Sequence, residues 1–102
     1  MAAVLIHSDV YGSGYWQSKE GRQVWRPVWQ TLNRANVYSY LLWHYDDSQE
    51  VEITDYDEYA DDATPVAHVT FRVTDGSYET SEFKGDFWLE PGFGTKVLYG
   101  EW

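Results

Sequence analysis

A chain of 102 residues that is 43% hydrophobic and 19% aromatic carries enough apolar surface to offset the entropy of ordering one core, and too little length for a second. Its 17 acidic against 7 basic residues, a formal net charge of −10, disfavour nucleic acid and anionic membrane as partners and favour a cationic one. With no cysteine there are no disulfides and no thiolate chemistry, which agrees with a reducing compartment. We expect a single compact domain over residues 1–102 in the cytoplasm, since "MAAVLIHSDVYG" lacks the basic start and long apolar run of an export signal.

In chain order, Ala2 to His7 reads as a short strand, and "SDVYGSGYWQSKEG" as a glycine-rich loop. Val24, Trp25, Val28, Trp29, Leu32 and Ala35 fall near helical spacing, so a short helix is expected at about 27–35, with Pro27 in its first turn and Asn36 as its stop. "VYSYLLWHY", 37–45, is aromatic and β-favouring and reads as a strand returning through "DDSQ" into Glu50 to Tyr56. Val66 to Thr74 gives the clearest strand, with Ala67, Val69, Phe71 and Val73 alternating against His68, Thr70, Arg72 and Thr74. Asp75-Gly76 then signals a turn into a strand from Tyr78 to Phe83. A break at Lys84-Gly85, a strand over Asp86 to Glu90, a turn at "PGFG" and a strand from Thr95 to Tyr99 complete the chain. The fold class expected is α+β, a mainly antiparallel β-sheet with one short helix.

The charge is unevenly placed. Nine acids, Asp46, Asp47, Glu50, Glu52, Asp55, Asp57, Glu58, Asp61 and Asp62, lie within seventeen positions, and no lysine or arginine occurs between Arg34 and Arg72. An acidic run of this kind can simply solvate a loop. Here, however, Glu50-Val51-Glu52-Ile53-Thr54 alternates, so that Glu50 and Glu52 share one strand face while Val51 and Ile53 turn to the core. Asp55, Asp57, Tyr59 and Asp61 continue the two-residue spacing on the opposite parity. In extended chain such side chains stand about 6.6 Å apart, broadly comparable to phosphates along a nucleic-acid strand. Tyr56 and Tyr59 among the acids, and Trp16 beside Tyr15 in the glycine-rich segment, are residue types enriched at binding hot spots.

Motifs for chemistry are weak. His7-Ser8-Asp9 is consecutive, whereas a nucleophilic triad is assembled in space. "YGSGY" lacks the third glycine of a nucleotide-binding loop. A calcium loop starting at Asp55 would need glycine where Ala60 stands and a bidentate acid where Val66 stands. His7, His44 and His68 have no zinc-ligand spacing. Trp25, Trp29 and Trp43 fall in periodic segments and read as core, whereas the terminal Trp102 reads as a contact anchor.

These features lead to the expectation of a small acidic, non-catalytic inhibitor without cofactor or metal. It would occupy a basic nucleic-acid-binding surface of a target protein, in the manner of a phage- or mobile-element-type anti-defence factor (anti-CRISPR or anti-restriction), possibly as a nucleic-acid mimic. The expected contact residues are Asp46, Asp47, Glu50, Glu52, Asp55, Tyr56, Asp57, Glu58, Tyr59, Asp61, Asp62 and Trp16. Two rival expectations are an immunity protein that neutralises a basic toxin, and a structural or ligand-binding β-rich module such as a virion component or sugar-binding domain.

Overall fold

Strands β1 (Ile6–Ser8), β2 (Gly12–Lys19) and β3 (Arg22–Pro27) precede one helix, α1 (Arg34–His44), which is followed by strands β4 (Glu50–Asp61), β5 (Thr64–Thr74), β6 (Thr80–Gly92) and β7 (Thr95–Glu101). This computed structural model describes residues 5–9, 12–61 and 64–102, with Asp61 described by its backbone alone. The first part of the expected strand at Ala2 to His7, and Asp62 of the acidic run, lie outside the described residues. Two antiparallel meanders result, β1-β2-β3 and β4-β5-β6-β7. The fold is α+β and mainly β, as expected.

The four-stranded sheet follows from alternation. In β5, Ala67, Val69, Phe71 and Val73 are buried, while His68 and Arg72 between them are exposed. Val51 and Ile53 of β4, Phe87 of β6 and Leu98 of β7 join them on the same face, where Val37 and Leu41 of α1 close the core. Trp29, Tyr40, Tyr45, Phe83, Leu89 and Trp102 pack around this cluster. Burial holds the Tyr40 phenol above its ordinary pKa. The β5–β6 turn is fixed by Asp75, whose carboxylate accepts from the hydroxyl and backbone N–H of Ser77 and from the backbone N–H of Glu79. The Ser77 bonds, ahead of that from Glu79, hold the Asp75 carboxyl below its usual pKa. The β6–β7 turn is Phe93-Gly94, both at positive φ (55° and 75°), the conformation that two-residue hairpins require.

Several local expectations are corrected. The helix lies at 34–44 rather than 27–35, so "VYSYLLWHY" is helical for all but its last residue. Asn33 is its N-cap: the side-chain carbonyl accepts from the backbone N–H of Asn36 at 2.8 Å, so Asn36, expected to stop a helix, sits in its first turn. Aromatic β-propensity loses here because Val37, Tyr40 and Leu41 present one helical face to the sheet, and tertiary packing outweighs intrinsic preference. The glycine-rich segment expected as a loop is strand β2, paired with β3 through Glu20-Gly21 at φ 52° and 78°. Pro27 ends β3, where its missing N–H leaves no ladder position unfilled. Strand β6 runs unbroken through Lys84-Gly85, because a Cβ at Gly85 would lie 2.9 Å from Trp102 Cβ and glycine leaves that room. Trp43 is 57% exposed rather than core. Trp102, expected as a surface anchor, stacks on Phe87 at 5.6 Å and donates from Nε1 to the Tyr45 hydroxyl at 3.1 Å.

Candidate functional site

Strand pairing places Glu50 and Glu52 opposite Thr74 and Arg72 on the face of the four-stranded sheet turned away from α1. Between Ile53 and Asp55 the register shifts by one residue, a β-bulge at Thr54 whose hydroxyl donates to the Thr70 carbonyl at 3.2 Å. Beyond it Asp55, Asp57 and Tyr59 pair with Thr70, His68 and Val66, which belong to the same outward set as Arg72 and Thr74. Strict alternation would have turned Asp55 and Asp57 toward the core. The extra residue cancels that parity change and puts Glu50, Glu52, Asp55, Asp57 and Tyr59 in one outward row along β4.

The row continues across the sheet. Glu82 pairs with Arg72, Asp86 with His68, and Glu101 with Asp86, and Glu90 follows Trp88 at the same parity on β6, so four more carboxylates share this face. The cations among them are few. Arg72 reaches Glu82 at 3.7 Å with both side chains half exposed, a contact worth at most about 1 kcal/mol. Lys84 stands opposite Thr70, and His68 Nδ1 bonds Asp86 Oδ1. Counting the eight outward carboxylates against Arg72 and Lys84 leaves the face strongly anionic.

One row of the same face is aromatic. Tyr59, Val66, Trp88 and Tyr99 are in register across β4, β5, β6 and β7. Tyr59 is 39% and Tyr99 48% exposed. The Tyr59 ring stacks on His68 at 4.4 Å, the Trp88 and Tyr99 rings lie 5.6 Å apart, and Trp88 Nε1 donates to Glu90 Oε1 at 2.9 Å. Trp88 and Tyr99 were missed at the level of sequence. The signal was present, since each lies two positions from an acid on its own strand, Trp88 from Asp86 and Glu90 and Tyr99 from Glu101.

The expected contact residues are not all brought together. Asp46 turns inward on its own loop, its carboxylate accepting from the backbone N–H and hydroxyl of Ser48, and Asp47 is exposed in the same turn. Tyr56 faces the core side, contrary to expectation, because the bulge that turns Asp55 and Asp57 outward turns Tyr56 in. Its hydroxyl donates to Glu58 at 3.1 Å, and burial, with help from the Glu58 carboxylate, pushes its pKa up to about 12. Glu58 shares the Tyr56 parity and is not in the outward row. Trp16 belongs to β2, edge-on to Trp25 at 5.2 Å, on the other sheet from the acidic row.

Both edges of the four-stranded sheet carry a bond from elsewhere in the chain. Arg34 donates from Nη2 to the Ile53 carbonyl on β4 at 2.8 Å, and the Leu98 N–H on β7 donates to the Trp29 carbonyl at 2.6 Å. Together with the bulge, these contacts disfavour strand addition at the edges. Among the described residues no three His, Asp or Glu side chains converge to hold a metal ion, and no helix is long and apolar enough to cross a membrane. His7 Nδ1 meets the Ser13 hydroxyl at 2.7 Å, a contact between β1 and β2. Comparison of the chain with protein-family models, with curated proteins and with solved structures finds no match.

Proposed function

We propose that this protein is a non-catalytic, occluding inhibitor whose outward sheet face binds a basic, nucleic-acid-binding surface of a target protein in the cytoplasm. The carrying observation is the bulge at Thr54, which sets Glu50, Glu52, Asp55 and Asp57 on one face although their sequence parity differs. A loop acidic only for solubility needs no common face, whereas a groove that binds phosphates does. A second support is Arg34, whose guanidinium is engaged at the β4 edge and not by the outward carboxylates. An anti-defence role, against a nuclease or a guided surveillance complex of a bacterial host, is the biological setting that fits this chemistry.

The test replaces Glu50 and Glu52 by glutamine and Asp55 and Asp57 by asparagine together. Immobilised wild-type and variant chains are exposed to bacterial lysate at low and high salt. Retained proteins are then assayed for nucleic-acid binding with and without added inhibitor. Wild type should retain, at low salt, a nucleic-acid-binding protein whose nucleic acid it displaces, and should lose it as salt screens the exposed charges. The variant should retain little at either salt with an unchanged fold. Equal retention by both chains at low salt would overturn the proposal.

A further inference from the structure

We infer that the aromatic row Tyr59–Trp88–Tyr99 is an arginine-docking platform, so that the partner presents arginine rather than lysine at this end of the anionic face. The inference rests on the anionic-face proposal and specifies the chemistry of its partner. Four strands about 4.8 Å apart make the row about 14 Å long, which suits one or two side chains lying across it. Its flanks are acidic on both sides. Asp57, Asp86 and Glu101 occupy the neighbouring cross-strand row, and Glu90 lies beyond Trp88, where it accepts the indole N–H.

The exposed Tyr59 and Tyr99 rings and the half-buried Trp88 ring, with carboxylates at their edges, suit a flat cation. A guanidinium lies over a ring face while its N–H groups fork outward to carboxylates, and it is weakly hydrated enough to give up water for a ring. A lysine ammonium is a compact, strongly hydrated point charge that gains from the acids and much less from the rings. A purely apolar partner would desolvate the acidic flanks without offering them a counter-charge. The Trp88 ring is already oriented by Glu90, and the Tyr59 ring by His68, so little side-chain order remains to be lost on binding.

The experiment uses two probes of equal charge, end-blocked hexa-arginine and hexa-lysine peptides, titrated into the intact chain at low and physiological salt. Wild type should bind the arginine peptide about 3-fold tighter. Changing Tyr59 and Tyr99 together to alanine should bring the arginine peptide down to the lysine level and leave the lysine peptide within about 2-fold of its wild-type affinity. The double phenylalanine variant, which keeps both ring faces, should retain the preference, and circular dichroism confirms that each variant folds. Equal wild-type affinities, or a preference that survives the double alanine change, would overturn the inference. So would a neutral hexasaccharide that binds wild type and not the alanine variant, which marks a sugar platform.

Glu50→Gln with Glu52→Gln, at the far end of the row, separates the two proposals. It should weaken both peptides alike and keep the preference. If peptide binding ignores both salt and these glutamates, the anionic-face proposal fails whatever the arginine preference; if neither peptide binds at low salt, both fail.

Discussion

The two faces of the four-stranded sheet are built by the same strands and differ in every physical respect. The inner face carries Val51, Ile53, Ala67, Val69, Phe71, Val73, Phe87 and Leu98, all buried, and is covered by Val37 and Leu41 of α1. On the outer face stand Glu50, Glu52, Asp55, Asp57, Glu82, Asp86, Glu90 and Glu101, with the aromatic row across one end. Because side chains alternate with period two, a single strand serves both, and stability and recognition are assigned to opposite parities of one sequence. One residue out of step would exchange the assignments, which is why the bulge at Thr54 matters more than its size suggests.

Substitutions at neighbouring positions should separate the faces most widely. Phe71 is fully buried and Arg72 half exposed. Phe71→Ala should destabilise the fold by about 3–5 kcal/mol, through lost burial and the cavity left behind. Arg72→Ala should cost under about 1 kcal/mol, the scale of an exposed ion pair. Denaturant unfolding measures both, and similar losses at the two positions would break the distinction.

A smaller effect sharpens the role of the cover. Asn33→Ala removes the acceptor for the Asn36 N–H and should cost about 1 kcal/mol, with Asn33→Asp or Ser close to neutral. Loss of helical circular dichroism before the sheet unfolds would show that α1 is a separable lid rather than part of one cooperative core.

The smallest effect is expected at Tyr56, whose position the bulge decides. Its phenol pKa is raised to about 12 from an ordinary 10.0, so the folded state holds its proton more tightly than the unfolded chain. The associated stability is fully present below about pH 10 and declines as pH rises toward 12, because the unfolded chain loses that proton first. Phenolate absorbance should show late-titrating tyrosine in the folded protein, from Tyr56 and from Tyr40, whose phenol burial also raises, and Tyr56→Phe should diminish that component. A late component undiminished in the variant would place Tyr56 outside the core side.

The regions that could be read correctly were those whose signal is local. Ala67 to Thr74 alternates without interruption, and Asp75-Gly76 carries its own turn chemistry, so β5 and the following turn are legible in ten or so residues. The segment 34–44 misled because Val37, Tyr38 and Tyr40 favour strands intrinsically, while the deciding features are the Asn33 cap and the sheet that Val37 and Leu41 meet. The cap was within reach of sequence, as Asn33 stands three residues before the Asn36 amide it satisfies. The ribbon β2–β3 was obscured by its glycines. Gly14 reads as a loop residue, yet a Cβ there would lie 2.5 Å from the Arg26 carbonyl oxygen, so glycine is what lets the strands approach.

Sequence alone determined the α+β class, the core parity of β5, the outward direction of Glu50 and Glu52, and the concentration of charge between Asp46 and Asp62, because each depends on residue type and short-range period. Tertiary structure alone decided which acids share a face, since a bulge is a property of a strand pair, and Thr54 is an extra residue only relative to β5. It also decided where the aromatics go. Trp102 is drawn under Phe71 and Phe87 while Trp88, half-buried, meets Tyr99 on the outward face, an outcome fixed by strand register, which no window along one strand contains.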